Sequence, residues 1–330
     1  MSAPIRPVGI SGVGFHVPPR VLTNFDLEKS VDTTDEWIRT RTGIIERRIA
    51  EPEVATSDLG LEAARAALER AHLDPRELDL IIVATITPDM AFPATACLVQ
   101  HRLGAERAGA FDLQAGCTGF VYALSLASQV IATGACDNVL IIGAEVLSRI
   151  VDWNDRATCV IFGDGAGAAL LQPTTQGRGV LAFALRADGS GSEALKLPAG
   201  GSRLPTTAET VARGLHYTYM DGQEVFRFAL RAVEEVTLEC LRRAGLTLAQ
   251  VDLIIPHQAN SRIIEACAKR LDFPEDHWVC NVDRYGNTSA ASIPIALAES
   301  VESGRLREGM VVVLVGFGAG LTHGAVVIRW

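Results

Sequence analysis

Cys117 lies in Phe111-Asp112-Leu113-Gln114-Ala115-Gly116-Cys117-Thr118-Gly119-Phe120, where an extended run breaks at Gly116 and a strongly apolar segment, residues 120–131, begins. This places a thiol at the first turn of a buried helix. Unpaired N–H groups and the positive dipole end there favour the thiolate, the nucleophilic form, and predict a pKa below the free value of about 8.5. The apolar run Asp252-Leu253-Ile254-Ile255 ends in Pro256-His257-Gln258-Ala259-Asn260, so His257 projects from the end of a buried strand. A third turn, Arg284-Tyr285-Gly286-Asn287-Thr288-Ser289, precedes another apolar segment. Taken singly, a strand-end histidine is most often a structural hydrogen-bonding residue, and an asparagine after glycine an N-cap. Converging at one buried point, the three form a nucleophile with two neutral hydrogen-bond donors, a set suited to acyl transfer and thioester chemistry.

An internal duplication makes that convergence expected. Leu68-x-Arg70-Ala71-x-Leu73 followed by Asp79-Leu80-Ile81-Ile82 recurs 173 residues later as Leu241-x-Arg243-Ala244-x-Leu246 followed by Asp252-Leu253-Ile254-Ile255. At the same offset Val139-Leu140-Ile141-Ile142-Gly143 faces Val312-Val313-Leu314-Val315-Gly316, and at an offset of 170 Gly116-Cys117-Thr118 faces Gly286-Asn287-Thr288. Two related halves would bring the Cys117 and Asn287 turns face to face across a pseudo-twofold axis. Each half reads as amphipathic helix, buried strand, turn, helix, buried strand: 59–71, 80–85, 117–132 and 139–143 in the first. Continuous apolar strands alternating with helices predict an α/β body with sheets covered on both faces, five α-β-α-β-α layers around a shared central helix pair. The halves are assigned to 1–176, carrying the cysteine, and 177–330, carrying the histidine and asparagine, joined through the Pro- and Gly-containing stretch 172–179. Residues 26–57 and 185–221 break the pattern and read as long functional loops. Pro294 falls within the expected helix after Asn287, so that helix either starts late or is kinked.

With 330 residues, 48% of them hydrophobic and 21% charged, the chain can bury a large core. No apolar stretch reaches the roughly 18 to 20 residues of a membrane span, and Met1-Ser2-Ala3-Pro4-Ile5-Arg6 lacks a signal peptide's apolar segment. A soluble cytoplasmic protein is expected. The seven cysteines form no C-x-x-C pair or zinc-ligand spacing, so no metal is expected. A net charge of −9 without any polybasic run argues against nucleic acid as a partner. Gly163-Asp164-Gly165-Ala166-Gly167 and Gly12-Val13-Gly14 fall short of a dinucleotide fingerprint and read as tight packing.

Together with the Cys117, His257 and Asn287 turns, the stretches Asp35-Glu36-Trp37-Ile38-Arg39-Thr40-Arg41-Thr42-Gly43-Ile44, Asp155-Arg156-Ala157-Thr158 and Phe162-Gly163-Asp164-Gly165-Ala166-Gly167 give the chain an end-to-end resemblance to the β-ketoacyl-acyl-carrier-protein synthase III family of the thiolase superfamily. The resemblance implies a thiolase-like fold and a homodimer. It also implies a decarboxylative condensation of an acyl-coenzyme A primer, acetyl or another short acyl, with malonyl-acyl-carrier protein, initiating fatty acid synthesis. Cys117 would carry the acyl group, while His257 and Asn287 would hold the malonyl thioester oxygen. Backbone N–H groups of Cys117 and Ala319 would form the oxyanion hole. Coenzyme A is a substrate here, and no resident cofactor is implied. Trp37 and Arg156 resemble the pair that sandwiches adenine, with Arg41 and Asn260 as further coenzyme A contacts. Phe92 matches a residue reaching the acyl pocket of the other subunit. Arg227, Arg262, Lys269 and Arg270 match positions of a basic carrier-protein docking patch.

Two positions depart from the family pattern. Ala319 stands where many relatives have glycine, and alanine tolerates positive φ poorly. His323 stands where tryptophan is frequent and reads as structural or as a modifier of the pocket. An elongating synthase would show a second histidine at position 287 and a biosynthetic thiolase a second cysteine. The nearest competing reading is a synthase-III-like acyltransferase or ketosynthase of a polyketide or other secondary-metabolite pathway. A catalytically dead scaffold is disfavoured because all three polar residues are present.

Overall fold

The computed structural model of the protein describes residues 5–330, so Met1–Pro4, part of the segment read for a leader, lie outside the described residues. Two sheets form the framework. The first runs, in spatial order, Val8–His16, Gly165–Pro173, Val139–Glu145, Leu80–Ala84 and Gly109–Leu113. The second runs Gly179–Ala187, Thr322–Arg329, Val311–Gly318 and Leu253–Pro256, repeating the first four positions with the same mix of parallel and antiparallel pairs. In place of a fifth strand it has a single parallel bridge, Ile254 to Trp278.

Helices Gly119–Ala132 and Ser292–Glu302 lie between the sheets, in a core drawn from both halves. Each is apolar on several sides because each is covered on two faces. Thr56–Ala71 and Thr95–Leu103 cover the outer face of the first sheet, and Gly222–Ala244 and Ser261–Leu271 that of the second. The outer helices are amphipathic. In Gly222–Ala244 the buried residues Phe228, Ala229, Ala232, Val233, Val236 and Cys240 recur at three- and four-residue steps, and Asp221 caps the start by accepting from the Gln223 and Glu224 N–H groups. The five layers expected from the sequence are therefore present.

Glycines let the two halves touch. A Cβ on Gly143 would sit 2.2 Å from the Ala290 carbonyl oxygen, and one on Gly316, its counterpart 173 residues later, 3.2 Å from Thr118 Cα. Each half's central strand thus accommodates the special turn of the other half.

Three local expectations change. The supposed loop 26–57 contains the helix Asp35–Thr42, whose N-cap Thr34 accepts from the Trp37 N–H, and the short strand Glu46–Arg48. The stretch 185–221 includes the end of the strand Gly179–Ala187 and the short helix Ala208–Ala212. The connection between halves is shorter than 172–179, since only 174–178 lie outside the flanking strands. Pro294 is resolved in favour of the late start: a 3-10 turn, Ser289–Ala291, precedes the helix and Pro294 lies in its first turn, where no intrahelical N–H is needed.

Candidate active site

Cys117 is 6% exposed and occupies the 3-10 turn Gly116–Thr118 that leads into the central helix Gly119–Ala132. It packs against the turn Ser289–Ala291 of the other half and against the end of the strand Val311–Gly318. A Cβ on Gly318 would lie 2.6 Å from Cys117 N, and one on Gly116 2.9 Å from Ala319 N, so the two backbones are in close contact, and Cys117 and Ala319 line one cavity. Among the described residues neither N–H has a hydrogen-bond acceptor. Both are free to meet an oxyanion. Ala319 is not among the residues with positive φ; Gly320, at φ 136°, takes that conformation instead. The substitution of alanine for glycine therefore leaves this half of the oxyanion hole unstrained.

The expected lowering of the Cys117 pKa is reversed. Burial pushes the thiol up to about 12, against the smaller opposing effect of the Ser289 hydroxyl. Local position in the chain favours the thiolate, but the opposite half and the sheet remove the water that would solvate it. With its pKa raised, Cys117 at neutral pH is held as the thiol.

His257 follows the strand Leu253–Pro256 and is 1% exposed. Its N–H bonds the Val315 carbonyl at 2.8 Å, its ring meets Phe317 edge-on at 5.2 Å, and its Nδ1 lies 2.7 Å from Ser292 Oγ. Burial pushes its pKa down to about 3, so the ring is neutral at physiological pH. Asn287 is 7% exposed and is pinned to the first half, its N–H bonding the Ile161 carbonyl at 2.9 Å and its carbonyl the Gly163 N–H at 3.0 Å. Its Oδ1 accepts from the Ser289 N–H at 2.8 Å, which directs Nδ2 outward as a donor. One segment, 287–292, thus carries the asparagine, braces the histidine through Ser292, and packs on the cysteine turn.

A cavity of about 250 Å³ opens at Cys117, with Ile86, Gln114, Phe162, Ser289 and Ala319 among its walls. His257 and Asn287 do not line it, nor does Phe92, which is 85% exposed. Three residues beside the site went unassigned by sequence reasoning. Ser289 is buried at a positive φ of 48°, with its hydroxyl between the Cys117 thiol and the Glu145 carboxyl, where it favours the charged form of each. Ser292 braces His257. Glu145, fully buried at the end of an apolar strand, accepts from the Thr87 hydroxyl at 2.6 Å and from the Ile86 and Thr87 N–H groups at 3.1 Å, tying the cavity wall to the sheet. Burial pushes its pKa up to about 7 despite those donors. The only signal for Glu145 in the chain is an acid closing an apolar run.

The expected coenzyme A residues gather on one surface. Arg156 Cζ lies 4.8 Å from the Trp37 ring centroid and Arg41 Cζ 5.9 Å. At 4.8 Å the guanidinium touches the indole, so a base enters between them only if Arg156 swings aside; it is held by the Asp32 carbonyl at 2.8 Å. Asn260 caps the helix Ser261–Leu271 through the Arg262 N–H, and its amide donates to the Arg41 carbonyl. Both of its polar groups are engaged within the protein. Arg227, Arg262, Lys269 and Arg270 are all exposed, and Arg270 is paired with Glu234 at 2.5 Å. His323 is buried beside Phe228, edge-on at 5.4 Å, with neither ring nitrogen hydrogen-bonded. It does not line the Cys117 cavity, so its place is structural.

A buried cysteine with free amides beside it, and two neutral donors from the paired half, is an arrangement suited to acyl-transfer chemistry. Residues 111–189 match the family described as 3-oxoacyl-[acyl-carrier-protein] synthase III, and residues 241–330 match its C-terminal counterpart. The chain is 59% identical to the β-ketoacyl-[acyl-carrier-protein] synthase III of Symbiobacterium thermophilum over 99% of both chains. Among solved structures it resembles the synthase III of Thermus thermophilus (49% identity, TM-score 0.91, covering 98% of this chain and 99% of that one). It also resembles the priming β-ketosynthase of a polyketide pathway (37% identity, TM-score 0.91, covering 99% and 98%). The chain belongs to the β-ketoacyl-acyl-carrier-protein synthase III family, the thiolase-like condensing enzymes that initiate fatty acid synthesis.

Proposed function

We propose that the protein condenses a short acyl-coenzyme A primer with malonyl-acyl-carrier protein, giving 3-oxoacyl-acyl-carrier protein, coenzyme A and carbon dioxide. The observation that carries this reading is the segment 287–292, which presents Asn287 with Nδ2 as a donor, braces the neutral His257 ring through Ser292 and packs on the turn that bears Cys117. In the first step the Cys117 sulfur attacks the primer carbonyl, the carbon–sulfur bond to coenzyme A breaks, and the coenzyme A thiolate takes the thiol proton. The N–H groups of Cys117 and Ala319 hold the intervening oxyanion. In the second step malonyl-carrier protein loses carbon dioxide. The electron pair left behind forms an enolate whose oxygen accepts from His257 Nε2 and Asn287 Nδ2, so no general base is required. The enolate carbon attacks the acyl-cysteine carbonyl, and the tetrahedral adduct collapses to product and the Cys117 thiolate, which takes up a proton from water to restore the thiol. Neutral donors suit this role because each stabilises a developing negative charge without a proton to lose at neutral pH. No resident cofactor takes part; the coenzyme A thioester is a substrate.

Trp37, Arg41 and Arg156 would hold the adenine and phosphates of coenzyme A, with Asn260 fixing the Arg41 backbone beside them. Arg227, Arg262 and Lys269, with Arg270, would receive the acidic carrier protein. A homodimer is supported by the strand Gly109–Leu113, which is paired on one side only, and by exposed Phe92, Met90 and Phe111. Phe92 would then reach the partner's acyl pocket. All seven cysteines are free thiols, which suits the reducing cytoplasm. No helix among the described residues is long and apolar enough to cross a membrane.

The primer is found by incubating the protein with a panel of acyl-coenzyme A thioesters and taking intact mass. A short acyl adduct that is absent from Cys117→Ala is expected. An adduct that persists in that variant would move the nucleophile elsewhere.

A further inference from the structure

Ser292 opens the central helix Ser292–Glu302 and is 2% exposed. Its Oγ lies 2.7 Å from His257 Nδ1 and accepts the Gln258 N–H at 3.3 Å. A serine hydroxyl has one proton to donate and two lone pairs. The Gln258 N–H fills one of those lone pairs. Among the described residues no other hydrogen-bond acceptor meets this hydroxyl, so its proton is directed to His257 Nδ1. A neutral imidazole that accepts at Nδ1 carries its own proton at Nε2.

The Gln258 N–H is itself fixed. The Gln258 side chain donates to the Pro256 and Val279 carbonyls at 2.8 and 3.0 Å and accepts the Asn281 N–H at 2.9 Å, all in a buried environment. The chain turn after the strand therefore cannot rotate its amide away from Ser292. Across the ring, Phe317 packs edge-on at 5.2 Å and limits its tilt.

We propose that Ser292 is a positioning residue for the condensation step: its hydroxyl, oriented by the Gln258 N–H, donates to His257 Nδ1 and holds the ring in the tautomer that presents Nε2–H to the enolate oxygen. The proposal rests on the reading of His257 as an enolate donor. With the other tautomer, Nε2 would face the growing negative charge with a lone pair, and the donor would be lost. Acylation of Cys117 by acyl-coenzyme A does not use this donor. Replacing the serine therefore separates the two half-reactions, whereas a general loss of packing would slow both.

The test uses the full-length protein with 15N-labelled histidine. The His257 signals are identified by their loss in His257→Gln, and the protonated and bare nitrogens of a neutral ring are distinguished at neutral pH. The wild-type ring is expected to carry its proton on Nε2. In Ser292→Ala the Nδ1–H form should appear, and condensation should fall roughly tenfold to a hundredfold, while acylation by acyl-coenzyme A changes less than about threefold. Ser292→Thr, which restores the hydroxyl, should recover most of the condensation rate. A wild-type proton on Nδ1, an unchanged tautomer in Ser292→Ala, or equal losses in both half-reactions would each overturn the assignment. Failure of the underlying reading looks different: His257→Gln would condense at the wild-type rate whatever the tautomer.

Discussion

The proposed mechanism has Cys117 and Asn287 act at different steps, so their removal should separate those steps. Asn287→Ala should still accept an acyl group from coenzyme A, as read by intact mass, but lose about a hundredfold or more in condensation. Normal condensation by that variant would remove Asn287 from the enolate site. His323 gives a test of stability at the same scale. Burial holds its pKa below the ordinary 6.5, so the unfolded chain binds the proton first and the native state loses stability as pH falls through that value. His323→Phe removes two unpaired buried nitrogens and should stabilise by about 1–3 kcal/mol. Its Tm advantage should grow between about pH 7 and pH 5, and a constant or shrinking advantage would contradict this account. The buried turn positions of Cys117, His257 and Asn287 were legible in the sequence because each stands where an apolar run meets a turn. The direction of the Cys117 pKa was not. It depends on burial by a turn about 170 residues away, while Ser292 meets His257 35 positions earlier and Glu145 meets Thr87 58 positions earlier, contacts that no local pattern announces.

The turns carrying Cys117 and Asn287 can meet only because the strands beneath them are bare. Gly143→Ala would drive a methyl into the Ala290 carbonyl at 2.2 Å, whereas Gly316→Ala meets Thr118 at 3.2 Å. The first should cost about 3 kcal/mol or more and damage condensation, and the second about 1 kcal/mol, as measured by denaturant unfolding. Equal effects would show that the turns yield independently of these strands. The repeated strands and central helices were readable from periodicity and from the offset of 173. The helix Asp35–Thr42 was hidden by its short, largely polar span, although Thr34 followed three residues later by Trp37, and Gly43 at the end, are cap signals. Pro294 left two readings open, because the sequence does not show that a 3-10 turn absorbs the first three residues.

At the scale of the molecule, duplication explains why a site assembled from distant residues forms at all: two similar sheets sandwich one helix from each half, and the special turns meet near the axis. Recognition lies outside this symmetry. With a net charge of −9, the protein needs a local basic surface to attract an acidic carrier, and Arg262 and Lys269 are exposed cations on one helix. Reversing both charges should raise KM for malonyl-acyl-carrier protein about tenfold or more, more steeply at low salt, and leave acylation by acyl-coenzyme A intact. An unchanged KM would put the docking surface elsewhere. In the proposed reaction, carbon–carbon bond formation is driven by loss of carbon dioxide. The most direct measurement supplies pre-acylated protein with malonyl-acyl-carrier protein labelled at the free carboxylate and counts released carbon dioxide against 3-oxoacyl product. The account predicts equal amounts of the two, with both lost in Asn287→Ala; acyl transfer to the carrier without released label would contradict it and make the protein an acyltransferase of a specialised pathway.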